Sequence, residues 1–499
     1  MKKLLVSQLM LCCSLVLLAQ MSINKLWDYS YGGYDNDYCY GFQQTTDGGF
    51  IMGGSSYSPK GGNITEINRG VSDYWMIKLD ANGIKQWDRR FGGSGPETGT
   101  KIAQTQDGGY LIAGHSGSPV AGGDKSENGK GNWDYWVVKT DGNGNKLWDK
   151  CYGGPGADYL WAMTLTKDGG ALLGGFSESG IGGDKTEANR GIFEDYWVVK
   201  IDSIGNKEWD KTFGGSIQDF CEDVIQTADG GYLLGGISRS NSSGDKSENN
   251  WGTGSDYWII KIDSSGNKQW DRTLGTSDHD DTFRKCFQKK NGNYFSVGGA
   301  YPGISGNKSI QKGGAWFVEL DSSGNIVHEF CITAYVSYLE ELEDGGYIIG
   351  GGGGEDTTDD KTELGKGTLF IRTDSAGNKI WDKTVFANAG GFSTRTSDDC
   401  YALGGDLIVP PNGYQTATNW DTTYNTDDFW LMKFCLEPVG IGPSPPTPEG
   451  GLIQVYPNPF VEDVLITLRG EQHIKEATFM LTDVQGRVLY KQHESQLAN

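Results

Sequence analysis

The stretch from Asp195 to Gly215 carries two hydrophobic textures side by side. Tyr196 to Ile201 is a run of aromatic and β-branched residues with apolar groups on both alternating faces, the pattern of a strand covered on both sides. Lys207 to Phe213 alternates instead. Trp209 and Phe213 share one face and Glu208, Asp210 and Thr212 the other, which predicts a half-exposed strand at a sheet edge. The intervening Asp202-Ser-Ile-Gly205-Asn206 supplies turn chemistry, with Gly205 taking a positive φ that a side chain would resist. A second hairpin follows, in which Asp229-Gly230 joins two apolar runs between Val224 and Gly236. Trp209 has counterparts at Trp27, Trp87, Trp148, Trp270 and Trp381, and from Trp27 to Trp270 the spacings are 60, 61, 61 and 61 residues. Such a period marks a repeat architecture, each repeat being four strands, a to d.

Counting the elements separately predicts how the repeats close. The a–b turn occurs at Asp47, Asp107, Asp168, Asp229, Asn291, Asp344 and Asp398. The c strand is marked by Trp75, Trp136, Trp197, Trp258, Trp316, Phe370 and Trp430. The d strand is out of phase: its first copy, Ile23 to Tyr31, stands alone at the N-terminus, and the last c strand, Phe429 to Cys435, has none after it. Pairing those two leftovers closes a ring. The expected fold is therefore all-β, a seven-bladed β-propeller of four-stranded blades closed by the N-terminal strand, because closure leaves no blade with an open edge at the seam. A linear solenoid would want polar capping repeats at its ends instead of a split one.

Residues 1–20 begin Met1-Lys-Lys and continue with an apolar run from Leu9 to Ala19, too short to span a bilayer and placed like a signal peptide cleaved near Ala19. No other stretch could cross a membrane as a helix. Cleavage removes two lysines and moves the net charge from −22 to −24, an acidity that disfavours nucleic acid and anionic lipid. Cys39, Cys151, Cys221, Cys286, Cys331, Cys400 and Cys435 follow the signal, an odd number that leaves at least one thiol unpaired. Cys39 and Cys221 fall at the same a-strand position of blades across the ring. They read as small buried hydrophobes, not as a disulfide framework. The propeller is expected over residues 22–436, a Pro-rich linker over 437–450 and a further β-domain over 451–499.

Candidate chemistry concentrates between strands b and c. Asp184-Lys-Thr-Glu187 recurs as Asp124-Lys-Ser-Glu127, Asp245-Lys-Ser-Glu248 and Asp360-Lys-Thr-Glu363. The b–c and d–a loops of a propeller share one face, so these acids, the c-strand aspartates Asp73, Asp134, Asp195, Asp256 and Asp428, and the aromatics Trp133, Phe193 and Trp251 are expected to ring one surface. Trp133, Phe193, Trp251, Asp124, Asp184 and Asp245 are the candidate ligand-binding residues. No catalytic residue stands out and no cofactor is expected. The acidity also suits a cation such as calcium, but Asp141-Gly-Asn-Gly-Asn145 lacks the later bidentate acid of a calcium loop, and Ser277-Asp-His-Asp-Asp281 reads as a polar loop before a metal site.

Beyond the linker, Val455-Tyr-Pro-Asn-Pro-Phe460, Val464 to Leu468 and Phe479 to Tyr490 read as strands of a partial β-sandwich. The Tyr-Pro-Asn-Pro opening and the turn Asp483-Val-Gln-Gly-Arg487 resemble the type A C-terminal sorting domain of bacterial type IX secretion. Members of that family continue for two further strands, so a truncated version is expected where this chain stops at Asn499. The resemblance implies passage to the periplasm and then across the outer membrane, with the type IX machinery as partner and a secreted or outer-membrane surface location. The propeller repeats resemble those of many such exported proteins, a family without a general activity. The function expected is non-catalytic binding or adhesion to surface glycans or proteins, since a ring of similar loops gains avidity without one strong site. The alternative is a secreted glycan hydrolase or lyase on a propeller scaffold. Neither a sialidase arginine set nor the vicinal cysteines and eight blades of a quinone-dependent dehydrogenase is legible.

Overall fold

The computed structural model describes residues 21–277, 279–354, 356–385, 391–407, 413–421 and 426–438, and four strands beyond them. Two compact units divide the chain, and the larger covers Ile23–Cys435. In the third blade, strands a to d run Asp158–Leu165, Ala171–Ser177, Asp195–Ile201 and Lys207–Phe213, each antiparallel to the next. The described residues form seven such four-stranded sheets. The seventh takes its d strand from the N-terminus: Met21–Tyr31 lies beside Asp428–Pro438, followed by Tyr401–Leu407 and Phe392–Arg395.

Each blade is buried through its middle. Every residue of Asp195–Ile201 is inaccessible, and the indole of Trp197 donates to Asp210 across the sheet at 3.2 Å. The pair recurs as Trp75–Asp88, Trp136–Asp149 and Trp258–Asp271 at 3.0–3.3 Å. In the closing blade Trp430 donates to Asp28, which also accepts the backbone N–H groups of Thr416 and Ala417, so the N-terminal strand serves as a full member of the repeat. The d-strand tryptophans reach the next blade, Trp27 meeting Phe50 and Trp209 meeting Tyr232 with ring centroids 5.7 and 6.0 Å apart.

The d strand is less exposed than its alternation predicts. Asp210 and Thr212 are buried because the b–c loop of their own blade folds over them. Thr186 donates to Asp210 through N–H (2.8 Å) and hydroxyl, the Lys185 ammonium donates to the Thr212 hydroxyl at 2.6 Å, and Glu187 accepts from Lys211 at 3.0 Å and from the Thr212 N–H. The loop is thus a strap that satisfies the edge strand. Lys125, Lys246, Lys308 and Lys361 are buried like Lys185, so blades 2 to 6 each enclose a loop cation beside their carboxylates. The first blade breaks the sequence pattern but keeps the charge. Ile64 stands where blades 2 to 6 have lysine, and the cation comes from Arg90 on the d strand, fully buried, donating to the carbonyls of Ser58 and Ser56 at 2.6 and 2.8 Å and lying 3.4 Å from Asp73.

One expectation is corrected. The c-strand aspartates Asp73, Asp134, Asp195, Asp256 and Asp428 do not ring a surface. They are at most 1 % exposed, and each accepts a backbone N–H from its b–c loop, as Asp134 does from Lys130 at 2.7 Å. Cys39 and Cys221 are buried thiols as expected, as are Cys151, Cys286 and Cys331, and one disulfide, Cys400–Cys435, joins the start of strand b to the c strand of the closing blade. Beyond the propeller, Leu452–Tyr456 pairs with Leu465–Arg469 and Ala477–Thr482 with Val488–Glu494, two antiparallel hairpins. The expected signal peptide, the expected linker from 439 and the Asp483–Arg487 turn lie outside the described residues.

Candidate functional site

The repeated acids of the b–c loops are engaged between blades. Asp124 donates its N–H to the Gly92 carbonyl of the preceding blade (2.8 Å), accepts the Gly92 N–H (3.2 Å) and pairs with Arg69 (2.6 Å). Asp245 repeats this with Gly214 and Arg190, and Asp184 with Gly153 and a longer approach to Lys130. Asn63 and Asn307 make the same reciprocal contact with Gly32 and Gly275. An amide oxygen therefore serves the position as well as a carboxylate does. Phe193 and Trp251 are exposed on this face, whereas Trp133 is half-buried and packs toward the ring's axis.

Trp133 begins a continuous track of rings. Its indole lies 5.3 Å from His115 and 5.8 Å from Tyr159, Tyr159 lies 5.1 Å from Phe176, and Phe176 lies 4.7 Å from Phe220 and 4.9 Å from Trp161. The track crosses blades 2, 3 and 4 and ends at the innermost strands, with Trp161 38 % exposed. Burial pushes the His115 imidazole down to about 4, so it is a neutral ring in the track at physiological pH.

A backbone device aims these side chains. Strand a is bulged at one register in five successive blades, between Cys39 and Gly41, Gly99 and Lys101, Leu160 and Ala162, Cys221 and Asp223, and Phe283 and Lys285. The extra residues are Tyr40, Thr100, Trp161, Glu222 and Arg284, of which Trp161 and Arg284 are exposed and the other three partly buried. Opposite the bulge, strand b needs glycine: a Cβ on Gly175 would come within 1.9 Å of the Tyr159 carbonyl oxygen, and on Gly236 within 1.9 Å of that of Phe220. The strand-b residue that follows, at the same mouth, is Ser55, His115, Phe176, Ile237, Gly299, Gly352 or Asp406 around the ring.

The mouth is electrostatically varied. Burial raises Glu222 to about 7, only partly opposed by Arg284 and assisted by Asp223, and burial also raises Asp406 to about 7 against a hydrogen bond from the Cys39 N–H. Lys101 is held below its usual range by burial, with Asp223 opposing and Lys285 reinforcing the shift, which places side chains from blades 2, 4 and 5 within electrostatic reach across the axis. Among the described residues no group of three or more His, Cys, Asp or Glu side chains is arranged to hold a metal ion.

The candidate loop residues are thus not one site. Trp133 joins the mouth, Phe193 and Trp251 lie on the open face, and Asp124, Asp184 and Asp245 latch blades together. Tyr159, Trp161, Phe176, Phe220, Glu222 and Arg284 were missed because attention to what repeats passes over what varies. The legible signal was the position three residues after the d–a turn acid (Asp37, Glu97, Asp158, Asp219 and Asp281), which changes chemistry from copy to copy opposite a recurring strand-b glycine.

No family model matches the chain, and no curated protein matches it. Among solved structures it is similar to a protein of unknown function from Bacteroides caccae, at 14 % identity over 62 % of this chain and 89 % of that one, with a TM-score of 0.33. The Neurospora crassa Pan2 WD40 domain is 9 % identical over 82 % of this chain and 95 % of that one, with a TM-score of 0.45. BamB from Moraxella catarrhalis is 11 % identical over 83 % of this chain and 100 % of that one, with a TM-score of 0.38. These likenesses carry no argument about function, and the propeller rests on its own strand pairing.

Proposed function

We propose that the protein is a non-catalytic binding module that engages a glycan chain across the mouth of the ring. The observation that carries this reading is the aromatic track from Trp133 through His115, Tyr159 and Phe176 to Trp161 and Phe220. The partly exposed rings, Trp161 most of all, offer rigid apolar faces on which the C–H face of a pyranose can stack, with the buried His115 ring packed behind them, and a line of them suits an extended polymer better than a compact metabolite. Phe193 and Trp251, on the same face, add outer contacts. In this reading the protein is exported by type IX secretion through its C-terminal segment and acts as a secreted or outer-membrane surface protein. The Cys400–Cys435 disulfide supports an oxidising compartment.

A glycan array probed with the full chain, followed by calorimetry on the best ligand, tests it. Trp161→Ala and Trp133→Ala are expected to weaken binding by about tenfold each, the loss of one stacked ring. Binding that ignores both substitutions would sink the reading. A glycan hydrolase is favoured by one observation only, the Glu222 carboxyl raised to about 7 at the mouth. Polysaccharide turnover abolished by Glu222→Gln would establish that alternative.

A further inference from the structure

Between blades 5 and 6 the mouth opens into a cavity of about 520 Å³, lined among others by Asp280, Thr282, Arg284, Tyr301, Tyr335 and Gly352. Its origin is a deletion of side chains. The strand-b position filled by His115, Phe176 and Ile237 in blades 2, 3 and 4 is Gly299 in blade 5 and Gly352 in blade 6, and both glycines line the cavity. The volume is therefore the space that neighbouring blades fill with rings and branched chains.

The chemistry left in it is specific. The Arg284 guanidinium makes no hydrogen bond or ion pair among the described residues and lies 5.9 Å over the ring of Tyr335, which is itself 67 % exposed. Opposite stand Tyr301, stacked on His279 at 4.1 Å, and Asp280, whose carboxylate is fixed by the N–H (2.7 Å) and hydroxyl (2.9 Å) of Ser255 in the preceding blade. Hydrogen bonds from that serine hold Asp280 below the usual carboxylate range, so it is an acceptor for hydroxyl groups. A fork of unused N–H donors, two tyrosine walls and a fixed hydroxyl acceptor are what a sugar bearing a carboxylate would use.

We propose that this cavity is a subsite for a uronate unit of the glycan that lies on the aromatic track, its carboxylate received by Arg284 and its ring held between Tyr301 and Tyr335. The inference rests on the glycan reading and adds the class of sugar. The acidic surface does not forbid it: charges more than about 8 Å away are largely screened at physiological salt, and the acid inside the cavity, Asp280, is already engaged by the N–H and hydroxyl of Ser255.

Calorimetry of the full chain with an α-1,4-linked tetragalacturonate and with its carboxyl-reduced counterpart tests the proposal. The charged chain is expected to bind at least about tenfold more tightly, a charge-assisted hydrogen-bonded pair being worth that much. Arg284→Gln should remove the preference, bringing the charged chain down to the affinity of the neutral one. Gly352→Ile should do the same by refilling the space. A Cβ there meets only Tyr335, at 3.7 and 3.9 Å, in ordinary van der Waals contact, and an unchanged melting temperature is the check that the rest of the side chain is accommodated. Equal affinity for the two probes, with Trp161→Ala still weakening both, would overturn the uronate subsite and keep the glycan reading. Failure of both probes together with an array blank for glycans would overturn the two alike. Retention of the charge preference in both cavity variants would also overturn the subsite.

Discussion

Trp197 and Trp209 lie in neighbouring strands of one blade and differ in what surrounds them. Trp197 is fully buried with its indole N–H satisfied by Asp210, whereas Trp209 is half-buried against the next blade. Trp197→Ala is expected to cost about 3–5 kcal/mol in denaturant unfolding, and Trp209→Ala less, about 1.5–3 kcal/mol, in proportion to the apolar surface each removes from water. The reverse order would mean that the d-strand rings, not the c-strand rings, hold the blades. Asp245 belongs to the same scale. Because Asn63 and Asn307 occupy the equivalent position, Asp245→Asn should fold and leave glycan affinity unchanged, and a lost ligand on calorimetry would return that acid to the binding surface.

The element that explains the recurring Asp-Lys-Ser/Thr-Glu motif is the b–c strap. Each of its four residues has a fixed partner: the preceding blade, the blade interior, the d-strand acid and the d-strand cation. The first blade offers a test of the charge logic. Arg90→Thr would leave Asp73 without its buried cation at a cost of about 3–5 kcal/mol, and Ile64→Lys alone would crowd a second cation beside Arg90. The double substitution restores the pattern of the other blades, so unfolding measurements should give a coupling of at least about 1 kcal/mol in its favour. Additive losses would show that the two positions do not share one charge site. Sequence reasoning saw the motif and read it as surface chemistry, because the lysine's burial depends on a fold that lays the loop across its own edge strand.

At the scale of the molecule, closure and protonation set stability. Removing residues 22–33 strips the d strand from the seventh blade and should lower the melting temperature or cause aggregation. Cys435→Ser opens a loop of 35 residues within the same blade and is expected to cost about 2–4 kcal/mol. Between blades the fold buries facing acids. Burial raises Asp195, Asp256 and Asp428 to about 7, each with a neighbouring carboxylate adding to the shift, and raises Asp37, Asp158, Asp219 and Asp281 to about 6. A carboxyl raised in the folded state binds more protons there than unfolded, so its contribution falls as pH rises from about 4 through 7. Asp47, Asp107, Asp168 and Asp229 act in the other direction. Against the cost of burial, hydrogen bonds from threonine and lysine hold them down to about 2, and the stability they confer is lost as pH falls from about 4. The melting temperature should therefore peak near pH 4–5, about where the two effects cross. A maximum at pH 8 would contradict the buried acid pairs.

Hydrophobic periodicity and turn chemistry determined the strands, the blade count and the split closing blade, since these depend on which faces must leave water and where a chain can reverse. Packing alone decided the rest. Whether Asp195 faces solvent, whether Lys185 lies inside and whether Cys400 meets Cys435 depend on what another strand places opposite. The mouth is the clearest case. Trp161, Glu222 and Arg284 are ordinary members of a strand in the sequence, and only the bulge opposite a strand-b glycine turns them toward the axis, where side chains from separate blades meet.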